Sequence, residues 1–182
     1  MISASFSFLR RDQLEERYFA LIGDEFREQV RCIEPMSWCP IALAVAHYRA
    51  MDVLYPNQEQ QFANGRENAE RTVNVYAKTV VRAAAATGHV DPTAILKRLT
   101  VATDRSFRGG GAIAAYRTGA KDARTEWVGV PTLGVPYARN AFQGMLEGTL
   151  VLAARRVFVR RDLSFAPACG GHVAVAYDIS WV

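Results

Sequence analysis

The hydrophobic pattern of this chain changes its period once, at a run of three glycines, Gly109-Gly-Gly111. Upstream, apolar residues recur every three or four positions, as on one face of a helix. Downstream they alternate, as on one face of a strand. A helix-period pattern does not settle into a sheet, nor the reverse. The chain is therefore expected to build helices first and a sheet afterwards, an α+β arrangement.

Four helices are expected upstream. The stripe Leu14, Tyr18, Leu21, Ile22, Phe26, Val30 and Ile33 predicts one helix between Arg11 and Ile33, and Pro35 and Pro40 break it. Pro40 suits the first turn of a second helix carrying Ala44, Val45, Tyr48 and Met51, which ends at Tyr55-Pro-Asn57. A third runs from about Gly65 to Thr87 and is stopped by Gly88. Asp91-Pro92 then opens a fourth that faces inward through Ile95, Leu96 and Leu99.

Beyond the glycines, strands are expected over 113–118 and 124–130, with turn residues at 119–122 between them. A helix over 137–155 follows, with Gly144 and Gly148 on one face to allow close approach to a sheet. Strands over 157–163 and 172–182 close the pattern. The expectation is a single domain over 1–182. Its helical part spans about 10–107, and its β-β-α-β-β part, forming a four-stranded antiparallel sheet, spans about 112–182.

The glycine run itself raises the question of phosphate binding. A nucleotide-binding loop needs a strand before it, a helix after it, and Lys-Ser or Lys-Thr at its end. Here the order is helix, glycines, strand, and no GK[ST] occurs. A helix C-terminus also carries partial negative charge, which repels phosphate and suits Arg105 and Arg108. Gly109 is expected to cap the helix in the left-handed conformation.

Half of the 182 residues are apolar and 22% are charged, the profile of an ordinary globular domain. No apolar run approaches the roughly 20 residues that span a bilayer, and the first residues lack the order of a secretory leader. A cytoplasmic protein is expected. Cys32, Cys39 and Cys169 form no CxxC pair and read as reduced thiols. The net charge of +4 is mild, and all basic residues except Lys78, Lys97 and Lys121 are arginines spread along the chain. Nucleic-acid binding would require clustering on one element, so none is expected.

Catalytic chemistry finds little foothold. There is no GxSxG elbow, and His47, His89 and His172 are isolated from one another and from metal-ligand partners. His47 reads as a surface or packing residue, and Asp52 has no acidic partner in its helix. Glu15-Glu16, Glu25/Glu28 and Glu67/Glu70 share helices with basic residues and read as solvated surface. The strongest enzymatic arrangement is a site assembled from Cys169, His172 and the basic pair Arg160-Arg161.

One ordered set of motifs carries a resemblance. Trp38-Cys-Pro, Ala50-Met-Asp-Val-Leu-Tyr-Pro56, Asp91-Pro-Thr-Ala-Ile-Leu-Lys-Arg-Leu99, Arg139-Asn-Ala-Phe-Gln-Gly-Met-Leu-Glu-Gly148 and Ala176-Tyr-Asp-Ile-Ser-Trp181 occur in this order. Together they resemble an uncharacterised family of single-domain proteins expanded into many paralogues in myxobacteria. Phe62-Ala-Asn-Gly65 departs from it, standing where that family has a Leu-Gly pair. The element order is similar, more distantly, to the superfamily joining haem-nitric-oxide-binding, 4-vinyl-reductase-like and Golgi transport-particle (TRAPP-like) domains. That likeness implies a sensory or scaffolding module that dimerises through helices. Its haem branch needs an axial histidine, and no histidine here stands in a matching context, so no cofactor is expected.

The resulting expectation is a non-catalytic signalling or protein-interaction module, a homodimer. It would bind a partner protein or hold a small apolar ligand near Tyr48, Tyr76 and Met145. The enzyme built around Cys169, His172 and Arg160 is the alternative.

Overall fold

A computed structural model describes residues 2–33, 38–72, 84, 90–106, 111–166 and 173–182, with the side chains of 102–106 outside that description. Among these residues the order is α1 (Ile2–Arg11), α2 (Glu15–Ile22), α3 (Asp24–Arg31), α4 (Ile41–Leu54), α5 (Gln58–Thr72), α6 (Pro92–Ser106), β1 (Ala112–Gly119), β2 (Asp122–Val128), α7 (Pro136–Leu150), β3 (Val157–Asp162) and β4 (Ala174–Trp181). A short 3-10 turn, Pro131–Gly134, joins β2 to α7. The fold is α+β, with the helices largely preceding the strands and a four-stranded antiparallel sheet ordered β1-β2-β4-β3.

The amino-terminal third is cut more finely than its apolar stripe predicts. Helix α1 occupies residues that precede the expected start, and the span from Arg11 to Ile33 is broken twice. Gln13 turns with φ of 57° and Gly23 with φ of 86°. A residue with positive φ cannot continue a right-handed helix, so the stripe folds back on itself. The core requires the fold-back, because Phe8, Leu9, Tyr18, Ile22 and Val30 from three helices are all buried. Pro40 does begin α4 and Tyr55 ends it, as expected.

Alternation in the sheet follows the pattern anticipated. Ala123, Thr125 and Trp127 of β2 point inward, as do Val157 and Val159 of β3 and Val175, Tyr177, Ile179 and Trp181 of β4. Helix α7 lies against this inner face. Phe142 meets Trp127 edge-on with ring centres 4.9 Å apart, and Tyr177 donates its hydroxyl proton to the carbonyl of Arg139 at 2.7 Å.

Gly144 and Gly148 do permit a close approach, but to a helix rather than to the sheet. A Cβ at Gly144 would collide with the backbone carbonyl of Phe62, and one at Gly65 with that of Ala141. A Cβ at Gly148 would lie 2.9 Å from the carbonyl oxygen of Arg66 and 3.1 Å from the Cβ of Ala69. Helices α5 and α7 therefore cross with their backbones in contact, which small residues alone allow. The joint between the halves is as expected in kind. Helix α6 runs to Ser106 and β1 starts at Ala112, with Gly111 at φ of 83° against the backbone of Val128 and Gly129. Gly109 and its proposed cap lie outside the described residues.

Candidate functional site

Four regions gather chemistry-bearing side chains. The first is a row of rings through the interior: Trp127, Phe142, Tyr48, Tyr137, Tyr55 and Phe8. Each touches the next, with centroids 4.9 to 6.4 Å apart. Tyr48 sits in this packed row, beside His47. Met145 is half-buried against the same core, while Tyr76 lies outside the described residues.

Polar atoms punctuate this apolar interior. Trp127 Nε1 and Thr125 Oγ1 are buried and have no hydrogen-bond partner among the described residues, while the Tyr137 hydroxyl interacts with the Asn64 side chain. An unsatisfied buried donor or acceptor costs about 1–3 kcal/mol. By contrast, a neighbouring chain of polar groups is fully tied. Asp52 Oδ1 accepts from the Tyr137 amide at 2.8 Å and from Gln61 Nε2 at 3.2 Å. Asn140 Nδ2 donates to Gln61 Oε1 at 2.6 Å, and Arg161 Nη1 donates to Asn140 Oδ1 at 3.3 Å. Asp52 thus gives α7 the acidic partner that a helix N-terminus favours, from another helix.

The second region is His47, which takes the packing place rather than the surface one and is buried. Its Nδ1 lies 2.9 Å from the Tyr18 hydroxyl and its Nε2 lies 3.4 Å from Ser5 Oγ. Burial without a charged partner pushes the imidazole pKa down to about 3, so it stays neutral. The same burial raises the Tyr18 hydroxyl. No sequence signal foretells this contact, because Tyr18 and Ser5 are 29 and 42 positions away from His47.

The third region is the outer face of the sheet. Arg124 is held by Glu126 at 2.7 Å, Asp178 at 2.7 Å and Asp162 at 2.8 Å, and it lies over the Phe165 ring. Tyr116 donates to Glu126 Oε1 at 2.6 Å. Beside this cluster a shallow open depression of about 570 Å³ is lined by Thr118, Asp122, Phe158, Arg160, Asp178 and Ser180 among others. Arg160, a member of the enzymatic trio, is there; its strand partner Asp178 leans to Arg124 instead. Arg161, its neighbour, points to the opposite face and Asn140. Cys169 and His172 lie outside the described residues, as does His89. Among the described residues, no cysteine or histidine lines the depression.

The fourth is an open groove of about 470 Å³ between α2–α3 and α4, lined by Leu21, Phe26, Ala42, Val45, Glu25 and Arg49 among others. Among the described residues no His/Cys/Asp/Glu group is spaced to hold a metal ion. Cys32 is exposed and Cys39 is buried, both as free thiols. No helix among the described residues is long and apolar enough to cross a membrane.

No protein-family model matches the sequence, and no curated protein matches it. The fold does match a solved structure from a study of the molecular mechanism of H-NOX activation. The match has a TM-score of 0.58 and 12% identity, and it covers 98% of this chain and 92% of that one. At that identity the likeness is one of fold. It agrees with the distant similarity drawn from element order. The described residues do not fit a haem: His47 has both ring nitrogens engaged by hydroxyls inside a packed core, and helix α6 carries no histidine.

Proposed function

We propose that this chain is a non-catalytic signalling module that holds a small, mainly apolar ligand between its helices and the inner face of its sheet, and that it acts as a homodimer. The observation that carries the ligand reading is a pair of buried polar atoms at the sheet end of the aromatic row that have no partner among the described residues. They are Trp127 Nε1 and Thr125 Oγ1, on the inner face of β2 against the apolar core. Apolar walls with a few placed polar groups are the profile of small-molecule sites. A ligand that is largely hydrocarbon or aromatic, with one carbonyl or hydroxyl, would have to part the packed rings to enter, and would then satisfy donors that otherwise cost free energy. The fold similarity to an H-NOX structure supports the same reading by analogy of architecture alone.

Native mass spectrometry of the protein purified from the cells that make it tests this directly. A co-purifying small mass that is lost in Trp127→Phe is the expected outcome. Bare protein in every charge state, with the same protein also inert to small apolar carbonyl compounds in thermal-shift titration, overturns the ligand reading.

A further inference from the structure

We propose that the groove between α2–α3 and α4 is the surface on which a second copy of this chain docks, with Glu25 of each protomer paired to Arg49 of its partner. This rests on the homodimer part of the proposed function and is independent of the ligand part.

Helix α4 is buried along one side by Leu43, Ala44, His47, Tyr48 and Met51. Its other side is what distinguishes it. Ala42, Val45, Ala46, Arg49 and Val53 follow helical three-and-four spacing outward, and only Arg49 among them is charged. A solvated helix face carries charged and polar residues on that stripe. Val53 is 60% exposed, and Leu21 across the groove is 44% exposed. Small residues at 42 and 46 would let the backbone of another helix come close.

Two ionisable groups mark the groove. Glu25 and Arg49 both line it, yet they form no ion pair with each other or with any described residue. Neighbouring charges behave otherwise: Asp24 and Glu28, on either side of Glu25, pair with Arg27 and Arg31 at 3.0 Å each. One unpaired acid and one unpaired base beside a shared apolar lining make the surface self-complementary. A two-fold interface presents the same patch on both subunits, so a single Glu25–Arg49 contact occurs twice. A partner of uniform charge would satisfy one group and repel the other.

Sedimentation equilibrium of the full chain over a range of concentrations is the test. The wild type is expected to be a dimer. Glu25→Arg and Arg49→Glu should each weaken it at least tenfold, about 1.4 kcal/mol, and the double exchange E25R/R49E should recover most of the loss. Val45→Glu should give monomer, with circular dichroism as the control for folding. Because both charged sites are solvent-facing, the charge exchange stays decisive even if V45E does not fold. A wild type that is monomeric throughout overturns the proposal, and so does a dimer indifferent to all of these substitutions. A monomer that still carries a bound small mass would refute the dimer and leave the ligand reading standing, and a bare dimer would do the converse.

Discussion

At the scale of single residues, the most consequential placement is that of His47. Its pKa falls to about 3 in the folded chain because burial penalises the charged ring. The unfolded chain, with an ordinary histidine pKa near 6.5, takes up the proton first. Stability from this group is therefore intact above about pH 6.5 and is lost as pH falls toward 3. Linkage makes the loss about 2 kcal/mol between pH 7 and pH 5. Urea unfolding at the two pH values measures it, and His47→Gln should flatten the difference. Asp162 titrates in a lower window. A hydrogen bond from the Ser164 hydroxyl, then those from Arg124 and the Ser164 amide, hold its carboxyl at about 2. A carboxyl held below its unfolded value stabilises above about pH 4, and that contribution disappears as pH falls to 2. Asp162→Asn is expected to remove part of the acid slope below pH 4 while leaving the slope between pH 7 and 5 unchanged. The converse result would assign the acid sensitivity elsewhere.

At the scale of elements, the crossing of α5 and α7 is the most sensitive to change. Gly65→Ala or Gly144→Ala puts a methyl group into a neighbouring backbone carbonyl, and overpacking of this kind costs about 1–3 kcal/mol or more. Gly148→Ala should cost less, since the nearest backbone atom, the Arg66 oxygen, stands 2.9 Å away and the other neighbours are side-chain atoms. Denaturation midpoints of the three variants give the ranking, and equal midpoints would refute it. How far such features can be read in sequence depends on how local their causes are. The strands β3 and β4 were legible because alternation is written in neighbouring residues, and α4 because Pro40 and Tyr55-Pro56 mark its ends. The division into α1, α2 and α3 was not, since the apolar stripe runs through both breaks. Gly23 before Asp24 was the only local sign. The partner of Gly144 was hidden for a different reason. Spacing shows which face is small, but what meets Gly144 is the backbone of Phe62, far earlier in the chain, and only the tertiary fold brings them together. The same distance hid the buried hydrogen bonds of His47 and the tie from Asp52 to the start of α7. Within the sites, Arg160 lines the outer depression and Arg161 turns to Asn140 on the other face, a separation that strand alternation writes into neighbouring residues.

At the scale of the whole molecule, the sheet and the bundle are joined by more than contact between two layers. The carboxylate of Asp52 on α4 holds the amino end of α7, Asn140 of α7 binds Gln61 of α5, and the tyrosine row continues from Trp127 on the sheet to Phe8 on α1. Amide hydrogen exchange is therefore expected to be slowest in α5, α7, β2 and β4 together, opening as one unit, with edge strands β1 and β3 faster. Independent protection of α5 and α7 would refute that coupling. The backbone contact between these two helices also bears on recombination. A chimera joining the first part of this protein to the second part of a divergent relative would naturally be cut at the triple glycine, where the sequence pattern divides. Such a cut puts residues 58–72 and 136–150 under different parentage, and a single alanine from either parent at the crossing would keep the pieces from closing. The seam visible in the sequence is thus a poor crossover point, and a viable hybrid must inherit both helices from one parent.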